Sequence, residues 1–204
     1  HEGITEAVLG YLQNRHGATV SENALVHLGG LVPALSLAAR GFTEAGDNLM
    51  TCTPVYYPFL HVGKDAKIDT LAIPHIFQEG RWTFDFEEME KQVSSKTKIF
   101  ILCNPQNPLG RNFTKDEVTK VAEFCDRHSL VLVSDEIHCD LVFDESEGAF
   151  YSALKLPENL RQKLIVLQAP SKTYNIAGMG YAFAVIENPS IRNTFCATRG
   201  HTLS

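Results

Sequence analysis

Short unbroken apolar runs alternate along the chain with longer stretches in which apolar residues recur at helical spacing. Lys98 to Cys103, Leu130 to Val133, Leu164 to Leu167 and Tyr181 to Ile186 are runs of the first kind, and each is predicted to be a strand, as are the buried-type segment Asn48 to Thr53 and the more polar Lys67 to Ile73. Ala24 to Leu28 is a further short apolar run, ending at Gly29-Gly30. Unbroken apolar character is what a strand buried on both faces requires. Helices are predicted over Glu2 to Arg15, with Ile4, Val8, Leu9 and Leu12 on one face, and over Pro33 to Ala45, with proline in the first turn and Gly46-Asp47 as the stop. Two more follow: Phe86 to Val93, and a helix capped by Thr114 that runs to about His128 with Asp116 and Glu117 in its first turn. A last helix begins at Ser190. Strands separated by helical stretches imply an α/β fold, a three-layer α/β/α arrangement with a mostly parallel sheet covered on both faces. No linker, repeat or low-complexity tract divides the chain, so one layered domain is expected.

Composition narrows the function classes. The 204 residues are 44% hydrophobic and 21% charged, which excludes a disordered or collagen-like chain. Lys and Arg number 18 against 24 Asp and Glu, a net charge of −6, and no basic block occurs, so neither nucleic acid nor an anionic membrane is an expected partner. No stretch has transmembrane length and no signal-peptide pattern is present. The chain starts at His1 and is expected to be an excerpt or a processed piece. Five widely spaced cysteines contain no Cys-x-x-Cys pair, which points to reduced thiols in a cytoplasmic protein and away from zinc or a disulfide framework.

The polar and glycine-rich positions fall just after strands, where open α/β sheets bind ligands, so the segments at Gly30, Tyr56, Asn107, Asp135 and Lys172 are expected to converge. Gly29-Gly30-Leu31-Val32 joins a strand to a helix and is either a tight turn or a backbone anion cradle suited to phosphate. It is not a dinucleotide fingerprint, and no P-loop lysine follows. Asp135 ends an apolar run and is either a turn acid or a buried carboxylate in need of a cationic or hydrogen-bonded partner. His138 can face the same site, but no further ligand cluster supports a metal there. Lys172 is either solvated surface or a desolvated amine prepared for Schiff-base chemistry. Tyr56 stands between prolines in an extended loop that can fix its ring, and Asn104-Pro105-Gln106-Asn107-Pro108 is a second rigid loop.

Order and spacing give these segments more weight than each has alone. Thr53-Pro54-Val55-Tyr56, Asn104-Pro105-Gln106-Asn107-Pro108-Leu109-Gly110, Ser134-Asp135-Glu136-Ile137-His138 and Ser171-Lys172-Thr173-Tyr174-Asn175 succeed one another in a pattern that resembles the fold-type I pyridoxal-phosphate enzymes of the class I/II aminotransferase family. Arg15-His16-Gly17, Pro33-Ala34 and the run from Ser171 to Gly178 resemble in particular the branch of cystathionine β-lyases and related C–S lyases. The resemblance implies pyridoxal 5'-phosphate as cofactor and a small amino acid as substrate. It implies Lys172 as the Schiff-base lysine and proton shuttle, and Asp135 as partner of the pyridinium nitrogen. Asn107 would sit on the ring's phenolic oxygen with His138 nearby, and Tyr56 would stack on the ring. Gly30 and the N–H groups of Leu31 and Val32, with Ser171, would hold the phosphate. Many relatives carry Arg eight residues after the lysine, where this chain has Gly180, and Leu28-Gly29-Gly30 replaces the branch's Thr-Pro-Gly. Full members are nearly twice as long, so residues 1–204 are expected to be most of a large cofactor-binding domain of a homodimer. The C-terminal small domain, with its carboxylate-binding Arg, is expected to lie outside this chain. C–S β-lyase, aminotransferase and inactive cofactor-binding remnant are the functions this resemblance leaves open.

Overall fold

A computed structural model describes residues 2–143 and 150–200. Its strands are β1 (Leu25–Leu28), β2 (Asn48–Thr53), β3 (Asp69–Pro74), β4 (Ile76–Gln78), β5 (Arg81–Thr83), β6 (Thr97–Cys103), β7 (Val131–Asp135), β8 (Leu164–Gln168) and β9 (Ala182–Val185). Seven of them form one sheet in the order β1-β9-β8-β7-β6-β2-β3. Only β9 runs against its neighbours in that sheet; the remaining pairs are parallel, as expected.

The helices are α1 (Glu2–His16), α2 (Leu31–Phe42), α3 (Pro58–Ala66), α4 (Phe86–Gln92), α5 (Lys115–Arg127), α6 (Pro170–Thr173) and α7 (Pro189–Arg199). They cover the sheet on both faces, and the period-two alternation of strand side chains sorts the core into two layers. Phe100, Leu102 and Leu132 pack with Val8 and Leu12 of α1 and with Val118, Val121 and Phe124 of α5. Ile99, Ile101, Val131 and Val133 pack with α2, with Phe59 and Val62 of α3, and with Phe195 of α7. Both faces of the central strands are therefore dry, which is why these strands read as unbroken apolar runs. Among the described residues no helix is long and apolar enough to cross a membrane.

The structure corrects several sequence expectations. Helix α1 buries Thr5, Val8, Leu12 and His16, while Ile4 is exposed. The turn of the helix is set by polar contacts as well as by packing: Thr5 bonds the His27 ring at 3.1 Å and His16 bonds Tyr11 at 2.9 Å. Helix α2 starts at Leu31, with Pro33 at its third position, and it stops at Phe42 because the Thr43 hydroxyl caps the Ala39 carbonyl at 2.7 Å. Helix α3 lies where only a stiff loop was expected. Pro58 opens it, and its close approach to β3 requires Gly63: a Cβ there would stand 2.2 Å from Thr70 Oγ1. Strands β4 and β5 form a hairpin whose two-residue turn, Glu79-Gly80, has positive φ at both positions, the conformation that matches strand twist. The Thr114 cap is present as a full capping box with Glu117.

Candidate functional site

Helix α2 begins directly after β1, with Gly30 as its N-cap. The first N–H groups of a helix have no intrahelical acceptor. Ala34 N–H already reaches Gly30 O at 3.3 Å and Pro33 has no N–H, which leaves those of Leu31 and Val32 at the helix start. The Leu31 side chain is buried and Val32 is exposed, so the backbone is what Leu31 offers here. Gly180 backs onto this turn: it has a left-handed φ of 59°, and a Cβ added to it would lie 3.7 Å from Gly29 O.

Asp135 is the last residue of β7, in register with Cys103 of β6. It follows Val131 and Val133 in the strand's alternation and so belongs to the sheet face that carries α2. Its carboxylate is buried and accepts a hydrogen bond from Ile137 N–H at 3.1 Å. No cationic side chain among the described residues pairs with it. Burial pushes its carboxyl up to about 7; the Ile137 N–H pulls the other way, and the neighbouring Glu136 charge adds a further upward push. Asp135 is therefore a buried acid that lacks a counter-charge, and it fits a ligand that brings an N–H cation to the end of β7. Glu136 belongs to the opposite face. It is fully buried and accepts from Ser134 Oγ (3.1 Å), Ser152 Oγ (2.7 Å), Ala153 N–H (2.8 Å) and Gln168 Nε2 (3.0 Å).

His138 and Asn107 line one open cavity of about 470 Å³ together with Pro105, Arg111, Leu141 and Phe143. That cavity does not include Asp135, Lys172 or Tyr56. Burial, then the Lys172 charge, lowers the affinity of His138 for a proton, and a hydrogen bond to the Pro105 carbonyl opposes this in part, so the ring is neutral at physiological pH. The same effect puts Lys172 within electrostatic reach of His138. Lys172 lies in α6, a single turn after β8, and its side chain is exposed; nothing in the described chain desolvates it. Ser171 beside it is half-buried.

Tyr56 is 40% exposed and leans edge-on against Tyr57 at 5.2 Å. Its loop is fastened to the Asn107 loop by Gln106, which is buried. Gln106 Nε2 donates to Pro54 O at 2.6 Å, and Gln106 Oε1 accepts from Leu109 N–H at 2.8 Å. Sequence reasoning passed over Gln106, Glu136 and Asp140, and one signal for them was present: each sits within five residues of a candidate that was recognised.

Among the described residues, the three-layer α/β domain thus carries a glycine turn at a helix start, a buried acid without a cationic partner and an exposed lysine, each at or just past the end of a strand of the main sheet. The sequence profile described as "Aminotransferase class I and II" matches residues 1–201. The chain belongs to the class I and II aminotransferase family. Over 194 residues it is 36% identical to "Cystathionine beta-lyase PatB" of Bacillus subtilis, covering 95% of this chain and 50% of that one. It superposes with a TM-score of 0.92 and 35% identity on the crystal structure of cystalysin from Treponema denticola, which contains a pyridoxal 5'-phosphate cofactor, covering 99% of this chain and 51% of that one. Transaminases are also among its relatives: kynurenine–oxoglutarate transaminase 3 of Rattus norvegicus is 27% identical over 81% of this chain and 37% of its own length. The chain spans about half the length of the curated relatives it matches.

Proposed function

We propose that the chain is the cofactor-binding large domain of a pyridoxal-phosphate-dependent C–S β-lyase. Its reaction takes cystathionine, or a similar cysteine conjugate, and water to a thiol, pyruvate and ammonia. The observation that carries the cofactor reading is Asp135, a buried carboxylate at a strand end with no cation of its own. A protonated pyridine nitrogen supplies the missing charge. The lyase reading rests on the 36% identity to PatB and on Gly180, whose backbone suits glycine, where the aminotransferases' arginine is expected.

Bound pyridoxal phosphate supplies an electron sink that lowers the energy of a substrate Cα carbanion. The chain's own residues do the rest. Lys172, exposed on α6, would hold the cofactor aldehyde and serve as the base for the Cα proton. Asp135 would accept the ring N–H and keep that nitrogen cationic. Asn107 and neutral His138, which share a cavity, would hold the ring's phenolic oxygen. Tyr56 would stack on the ring. Gly30, the Leu31 and Val32 N–H groups and the Ser171 hydroxyl hold the phosphate.

The complete enzyme is read as a homodimer that also carries a small domain with the arginine for the substrate carboxylate. Support comes from the apolar side chains left in solvent after the strand ends: Val32, Tyr56, Tyr57, Phe143, Tyr174 and Met179 are all exposed, and Phe143 is 95% so. All five cysteines are free thiols, in keeping with a cytoplasmic protein. The loaded full-length enzyme, given cystathionine, is expected to release homocysteine, pyruvate and ammonia without added keto acid. Dependence on a keto acid, with the cofactor accumulating in its amine form, would instead make it an aminotransferase, the reading favoured by its transaminase relatives.

A further inference from the structure

Outside the proposed site, the structure gathers a second buried polar cluster where α1 meets the segment after β7. Ligand atoms of His16, Cys139 and Asp140 lie within 4.8 Å of one another, a grouping that invites a metal. The Tyr11 hydroxyl stands among them instead. It donates to Asp140 Oδ2 at 2.8 Å, so its oxygen is left to accept from His16 Nε2–H at 2.9 Å and from Cys139 S–H at 3.3 Å. Burial keeps this pattern fixed, holding the Tyr11 hydroxyl and the Cys139 thiol protonated and the His16 ring neutral. Asp140 collects two more partners: Arg15 Nη2 at 3.5 Å and the Thr173 hydroxyl at 3.2 Å. Its side chain is 6% exposed although that of Arg15 is 64% exposed, so the carboxylate is held mainly by the hydroxyls of the half-buried Tyr11 and Thr173.

Thr173 is the residue after Lys172. Helix α6 is only one turn, opened by a proline and closed by Tyr174 N–H to Pro170 O at 3.0 Å, with Ile176 N–H reaching Ser171 O at 3.0 Å. Among the described residues, Thr173 Oγ1 to Asp140 is the one side-chain hydrogen bond from residues 171–175 to the rest of the chain. A single turn is too short to hold its own geometry. We infer that Asp140, oriented by Tyr11, is a positioning residue that fixes the Lys172 turn through Thr173. One carboxylate thereby ties together helix α1, the segment that carries His138, and the lysine.

The inference rests on the reading of Lys172 as the cofactor lysine, and the rate of capture tests the two separately. The full-length protein, stripped of cofactor, is mixed with pyridoxal phosphate, sampled over time, and quenched with borohydride. The Lys172 nitrogen condenses with the aldehyde carbon, losing water, and hydride fixes the product for peptide mapping. Label on another lysine in the wild-type protein overturns the functional reading itself. With wild-type label on Lys172, Thr173→Val, which keeps shape and loses the hydroxyl, is expected to slow capture about tenfold, as a small misplacement of a reacting group does. Thr173→Ser restores the hydroxyl and is expected to remain within about twofold of wild type. The double variant Thr173→Val/Asp140→Ala is expected to be no slower than Asp140→Ala alone, because both remove one interaction. The visible circular dichroism of the bound cofactor should weaken in Thr173→Val and return in Thr173→Ser. Wild-type capture by Thr173→Val, equal slowing by Val and Ser, or multiplying effects in the double variant would each overturn the inference; if Asp140→Ala does not fold, the Val and Ser pair decides it.

Discussion

Asp135→Asn tests the electrostatics of the proposed site without any assay of turnover. Asparagine keeps the shape and can still accept the Ile137 N–H, but it carries no charge. In the cofactor-free chain the Asp135 carboxyl is pushed up to about 7, so the folded protein holds this proton more tightly than the unfolded chain does. Unfolding then releases the proton, and stability falls as pH rises. The fall is about 1.4 kcal/mol per pH unit across the window between the ordinary aspartate value of about 3.9 and the folded value. Crossing the whole window costs about 4 kcal/mol, an upper figure because water entry and relaxation soften burial penalties. Asp135→Asn is therefore expected to stabilise the cofactor-free chain by about 2–4 kcal/mol at ~pH 8 and by little at ~pH 4. Urea unfolding of both proteins at the two pH values measures this directly. With pyridoxal phosphate bound the sign reverses, because the carboxylate then has its cation and asparagine does not. A gain independent of pH, or a gain that survives cofactor loading, would refute the uncompensated-acid account of Asp135.

Three other outcomes are expected. Lys172→Ala should abolish borohydride labelling and lower turnover by several orders of magnitude in a protein with an unchanged melt; label that persists on the chain would remove Lys172 from its role. Tyr56→Ala should weaken cofactor binding by roughly 1–3 kcal/mol, read by spectroscopic titration, through loss of ring stacking, and unchanged affinity would exclude Tyr56 as the stacking residue. Gly63→Ala should destabilise the fold by about 1–3 kcal/mol, since the new methyl would meet Thr70 Oγ1 at 2.2 Å and the Ile68 carbonyl at 3.0 Å; a wild-type melting temperature would contradict the close packing of α3 on β3.

The sheet was legible because each central strand is buried on two faces and therefore written as an unbroken apolar run, as in Lys98 to Cys103 and Leu164 to Leu167. The segments after these strands stand out for the same reason, since polar residues break the apolar runs there, and their roles are what the predicted variants test. What escaped was set by contacts that leave no period in the sequence. Helix α3 is short, opens on Pro58 and contains Gly63, features that also describe a loop. The β4–β5 hairpin turns on Glu-Gly, a weaker signal than Asn-Gly. The rotation of α1 depends on Thr5 and His16, whose partners are found only once the chain is folded. Tyr11 and Asp140 are 129 positions apart, and neither carries a local mark of the other.

Three acids within six positions of one another show how far environment, rather than residue type, decides function in this segment. Asp135 and Glu136 are adjacent, and strand alternation turns them to opposite faces of the sheet. Glu136 meets four donors there and is satisfied by the chain itself, so it serves to join β7, β8 and residues 152–153. Asp135 meets one N–H and no cation, so its charge is stable only when something else supplies the partner. Asp140, just beyond His138, is satisfied by hydroxyls from α1 and α6 and spends its charge on geometry rather than on a ligand. A buried carboxylate costs free energy until it is paired. Asp135, the buried acid that has no cation among the described residues, stands on the sheet face that carries α2, and Lys172 follows the neighbouring strand β8. On the proposed reading, a group that is cationic at one end and anionic at the other would relieve Asp135 at the first end and meet the α2 start at the second, which is why the acid that the chain does not satisfy is the one read as a ligand site.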